Sequence, residues 1–120
     1  HLPALSPELH SKENLDYLTQ LNSRGSDYVL GEALTNVGLN NFEYEYAANL
    51  SAGQKRRVVL SALFITQSKV WLLDEPFTAL DADGINVIET QITKHCDDGG
   101  ICVLTTHQKC NLPGLRILSL

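Results

Sequence analysis

No methionine occurs in these 120 residues, and the chain opens on His1. A newly translated chain starts with methionine, so the sequence reads as a fragment or a processed piece. Cysteine is scarce as well: Cys96, Cys102 and Cys110 are the 3 present. Their odd number and loose spacing argue against a C-x-x-C site and against a disulfide framework. Cys96 and Cys102 read as small apolar fillers, whereas Cys110 sits in a polar turn. No apolar run approaches the ~20 residues of a membrane-spanning helix, and no signal-peptide pattern opens the chain. Cytosol is the default expectation. Basic charge is in deficit, with 9 Lys and Arg against 14 Asp and Glu, a formal charge of −5. Such a chain has no general attraction for nucleic-acid phosphates. Its one basic cluster, Lys55-Arg56-Arg57, reads as a solvated helix face.

What is present suits a globular chain: 43% hydrophobic residues, enough for one core of modest size. No internal repeat or low-complexity segment occurs. The first part reads as helical. Ser11 caps a helix over residues 12–22, and a second helix over 26–37 carries Val29, Leu30, Ala33, Leu34 and Val37 at helical spacing. Gly38 is placed to end it. Then the character changes. A helix over residues 52–67 leads to Val70–Leu73, a short apolar run expected to be a strand buried on both faces. A helix over 84–95, a Gly99-Gly100 break, a second strand over 101–104 and a third over 115–120 follow. Strand, helix, strand with short loops predicts a parallel sheet.

Three local patterns carry chemistry. In "VWLLDEP" the strand delivers Asp74 and Glu75 at its carboxyl end, where open α/β sheets place their ligands. An acid there can hold Mg²⁺, and its neighbour can polarise an attacking water. Two adjacent acids are also what a solvated turn after a strand looks like. In "LSAGQ", Ser51 is a good N-cap, and Ala52 and Gly53 leave the first helical N–H groups uncovered, a geometry that favours anions. An ordinary helix cap has the same letters. In "VLTTHQ", His107 lies just past a strand's carboxyl end, within reach of a phosphate near Glu75. Asp81, in "FTALD", adds an acid on the loop leaving the first strand.

The order and spacing of these patterns together resemble the ATP-binding cassette (ABC) family of transporter ATPases. Leu50-Ser51-Ala52-Gly53-Gln54 is similar to the family's signature motif, Val70–Pro76 to its Walker B strand with the catalytic glutamate, Ala79-Leu80-Asp81 to its D-loop, and His107 to its switch histidine. Within the family, "LSAGQKRRVVLSALFITQSKVWLLDEPFTALDADG" and "GGICVLTTHQ" are most similar to ATPase subunits of heme exporters in cytochrome c maturation.

The resemblance implies a partial P-loop NTPase of α/β class, with residues 1–68 a helical subdomain bearing the signature and 69–120 the carboxyl-side part of the nucleotide-binding core. It implies ATP and Mg²⁺ as cofactors, Glu75 as general base, Asp74 toward the metal, and His107 toward the γ-phosphate. Ser51, Ala52, Gly53, Gln54 and Asp81 would serve nucleotide binding, the signature acting on ATP held by a partner cassette. The implied partners are a second cassette, an integral-membrane subunit docked through the helical part, and heme as cargo of the complex, at the cytoplasmic face of the inner membrane. No nucleic acid is expected.

The sequence departs from the family pattern in two places. No G-x-x-x-x-G-K-[ST] occurs, so the phosphate loop and its strand are absent from these residues, and the chain alone is expected to be inactive. Leu2 stands where the family's Q-loop has glutamine. Other readings stay open: a cassette for another cargo, an interaction fragment without turnover, or an ABC-type DNA-repair ATPase. The acidic charge and the lack of long heptads count against the last.

Overall fold

A computed structural model describes residues 5–19, 26–107, 109 and 111–117. Leu2 and Cys110, and with them the expectations placed on both, lie outside the described residues. Helix α1 spans Ser11–Thr19. Its cap is His10, not Ser11: His10 Nδ1 accepts from the Glu13 N–H at 3.2 Å, and the Glu13 carboxylate accepts from the His10 N–H at 3.1 Å. This is a capping box with an imidazole in the hydroxyl's place. Ser11 is fully buried, and its N–H donates to Glu45 O at 3.0 Å. The loop after α2 thus satisfies the helix end from outside.

Helix α2 spans Ser26–Asn36. Gly38, at φ 81°, ends it as expected. Its N–H donates to Thr35 O and that of Leu39 to Leu34 O, the paired bonds of a Schellman motif. Leu39, next in line, is buried at 1% exposure and seals the turn. Helix α3 covers Ala52–Ser61 and tightens into a 3-10 turn at Ala62–Phe64, so the helix read over 52–67 is shorter and two-part.

Strand β1 (Val70–Asp74) and strand β2 (Ile101–Thr105) pair in parallel, Val70 with Ile101 through Asp74 with Thr105. Helix α4 (Ala82–Asp97) makes the crossover between them. Gly99, at φ 94°, ends α4 with the same pair of bonds as Gly38. The strands are not covered on both faces. Trp71 and Leu73 are buried at 5% and 7%, while Val70, Leu72, Ile101 and Val103 are more than half exposed. Helix α4 packs on one face only, where His95 stacks on Trp71 at 3.7 Å between ring centroids. Residues 115–117 have no regular structure, and the rest of the third expected strand lies outside the described residues.

Leu15, Leu34, Val58, Leu60, Phe77 and Ile88 are among the buried residues of one apolar cluster. This core reaches from the three amino-terminal helices to α4, and it holds the loop after β1 through Pro76 and Phe77. The position of the site follows from that anchoring.

Candidate functional site

Asp74 ends β1 and Thr105 ends β2, and the register sets them side by side. The Thr105 hydroxyl donates to Asp74 Oδ1 at 2.6 Å. That bond holds the Asp74 carboxyl below the usual aspartate range, because it favours the charged form. The next residue leaves the strand abruptly. Glu75 has φ 49°, a left-handed conformation that is uncommon in residues with a Cβ. Its N–H donates to Thr105 O at 3.0 Å and approaches Thr105 Oγ1 at 3.2 Å. The turn aims the Glu75 side chain toward His107, with Oε1 3.2 Å from His107 Nε2. His107 is 95% exposed and Glu75 27%. Asp74, Glu75 and His107 therefore meet at the carboxyl ends of two parallel strands, joined by Thr105.

The Ser51–Gln54 turn forms a complete capping box at the start of α3. Ser51 Oγ accepts from the Gln54 N–H at 3.1 Å, and Gln54 Oε1 accepts from the Ser51 N–H at 2.8 Å. The Gln54 amide is thus engaged by its own helix end. Ala52 and Gly53 are the first residues of α3, whose opening N–H groups have no partner within the helix, an arrangement that favours anions. Gly53 has a second reason to be glycine. A Cβ there would sit 2.9 Å from Ala79 O, on the loop that follows Glu75. Ala79 is itself left-handed, at φ 63°.

Asp81 caps α4. Its Oδ1 accepts from the Gly84 N–H at 2.8 Å and from Arg57 Nη2 at 2.9 Å. The Gly84 N–H, and then the Arg57 charge, hold its carboxyl below the usual range. Arg56, one position before, reaches the same loop. Its Nη2 donates to Glu75 O at 2.6 Å and its Nε to Thr78 O at 3.2 Å. The basic cluster is therefore not a solvated face: of its members only Lys55 is exposed. The structure brings the Ser51–Gln54 turn and the carboxylate group together through Arg56, Arg57 and the Gly53–Ala79 approach. Sequence reasoning missed both arginines. The available signal was arginine rather than lysine at two successive positions, since a planar fork suits paired acceptors.

Solved structures that share this fold include ATP-binding cassettes. One, described as the structure of the ATP binding subunit of an ABC transporter, superposes with a TM-score of 0.75 at 22% identity, covering 89% of this chain and 46% of that one. Another is the dimeric post-hydrolysis ATP-binding cassette MJ0796 bound to ADP and Pi, with a TM-score of 0.76 at 26% identity over 87% and 48% of the two chains. The class of protein that this fold defines is the ATP-binding cassette. The ABC transporter family model matches residues 1–78, and the chain belongs to that family.

Among curated relatives, the cytochrome c biogenesis ATP-binding export protein CcmA of Histophilus somni (strain 129Pt) is 42% identical over 110 residues, 91% of this chain and 51% of that protein. CcmA of Pseudomonas syringae pv. syringae (strain B728a) is 46% identical over 124 residues, 100% of this chain and 58% of that protein. The chain thus spans about half the length of the curated relatives it matches.

Proposed function

We propose that this chain is the signature and Walker B part of the ATP-hydrolysing subunit of an ABC transporter, one that serves heme export in cytochrome c biogenesis. The observation that carries the ATPase reading is the meeting of Asp74, Glu75 and His107 at the strand ends, with Thr105 orienting the first. The identity to CcmA proteins supports the choice of cargo.

In this reading Glu75 accepts a proton from the water that attacks the γ-phosphorus, a role typically worth about 10²–10⁴-fold. Its left-handed main chain turns the carboxylate out of the strand line toward the reaction site. Asp74, kept ionised by the Thr105 hydroxyl, offers hard oxygen donors beside it. That donor set fits Mg²⁺, which takes few protein carboxylates and completes its shell with water and phosphate oxygens. When bound, the ion would neutralise charge on the phosphoryl oxygens. His107 is accessible to a γ-phosphate oxygen and donates to it as charge develops. The N–H groups of Ala52 and Gly53, with Ser51 and Gln54 shaping the turn, hold the nucleotide of a second cassette. The dimeric MJ0796 structures support a paired arrangement. Asp81 fixes the loop between the two groups.

The helical part, residues 1–68, docks an integral-membrane subunit, and residues 69–120 form the carboxyl-side part of the core. The subunit sits peripherally on the cytoplasmic face of the membrane. Turnover belongs to the full-length subunit, since these 120 residues contain no phosphate-loop motif. Complementation tests the reading. A chimera that joins the amino-terminal part of the Pseudomonas syringae relative to this chain should restore c-type cytochromes to a strain lacking that relative. The same chimera with Glu75→Gln should fail. A stable, expressed chimera that restores nothing would contradict the heme-export assignment.

A further inference from the structure

Glu75 stands in a backbone conformation that its own side chain does not favour, so something else has to hold it there. Its N–H is fixed by Thr105 of β2, and its carbonyl by Arg56 of α3 at 2.6 Å. Arg56 is half-buried, and its fork spans the loop, gripping Glu75 O with Nη2 and Thr78 O with Nε. Both acceptors are main-chain carbonyls, so the grip acts on backbone direction and makes no use of the loop's side chains. The same helix begins at Ser51, little more than one turn away.

We propose that Arg56 is a positioning residue that locks the main chain of Glu75, so that the signature helix sets the aim of the catalytic carboxylate within its own subunit. The proposal rests on the reading of Glu75 as general base. Its chemistry is that of a charge-assisted donor pair in a rigid plane, which a single ammonium cannot reproduce across two carbonyls. Arg57 serves a different point, the Asp81 carboxylate, and leaves Glu75 untouched.

The test uses a full-length subunit carrying these residues, with steady-state ATP hydrolysis and equilibrium ADP binding measured on Arg56→Ala, Arg56→Lys and Glu75→Gln. Arg56→Ala should lower kcat about tenfold while KM for ATP and affinity for ADP stay within about twofold, since nothing that touches nucleotide is removed. Arg56→Lys, keeping the charge on a single donor nitrogen in place of the two-nitrogen fork, should fall between. The proposal is overturned if kcat of Arg56→Ala stays within about threefold of the parent, or if ADP affinity falls as much as kcat, which marks a merely structural part. Should Arg56→Ala fail to fold, Arg56→Lys decides: kcat within about twofold of the parent overturns the proposal, and a larger loss with ADP binding kept supports it. If Glu75→Gln leaves turnover intact, the general-base reading fails first and the role given to Arg56 falls with it.

Discussion

Asp81 uses one carboxylate oxygen for two tasks, closing the first turn of α4 and tying the loop to Arg57. Both partners favour the ionised form, so its folded pKa lies below the unfolded one, as does that of Asp74 beside the Thr105 hydroxyl. A depressed carboxylate contributes stability that is complete above the ordinary aspartate range and is lost as pH falls through the lowered pKa. Urea denaturation of the chain between pH 6 and 3 should therefore show stability falling most steeply below about pH 4. Asp81→Asn should lower stability at pH 6 and make its decline with acid shallower. An unchanged slope would contradict the assignment. At this scale the sequence was legible for Ser51, whose capping box has the expected partners, and for the acids at the strand end. His10 as a cap was not legible, because an imidazole is a rare stand-in for a hydroxyl and Ser11 sits beside it as the better candidate.

Among the elements, both parallel strands and α4 were legible because apolar spacing and glycine punctuation agreed. The faces of the strands were not. A continuous apolar run reads as buried on both sides, yet α4 covers only the side of Trp71 and Leu73. This yields a contrast between neighbours in one strand. Leu72, 73% exposed, should tolerate Leu72→Asp within about 0.5 kcal/mol in chemical denaturation of the chain. Leu73, 7% exposed, should not: Leu73→Asp buries an unpaired carboxylate and costs about 3 kcal/mol or more. Equal losses at the two positions would mean that both faces are packed.

At the scale of the whole molecule, the family was legible from the order of "LSAGQ", "VWLLDEP" and "VLTTHQ" along the chain. The ties between them stayed hidden. Arg56 reaches Glu75 across 19 residues and Arg57 reaches Asp81 across 24, separations at which no local pattern pairs side chains. Those ties make helix α3 and the carboxylate loop one unit, which in the proposed function delivers Glu75 as the proton acceptor for ATP hydrolysis. The direct measurement is ATP turnover and ATP binding by a full-length subunit carrying Glu75→Gln. Glutamine keeps the shape and cannot take the proton. Turnover should fall about 10²-fold or more while the affinity for ATP stays within about threefold. Turnover retained, or binding lost in equal measure, would contradict the role proposed for Glu75.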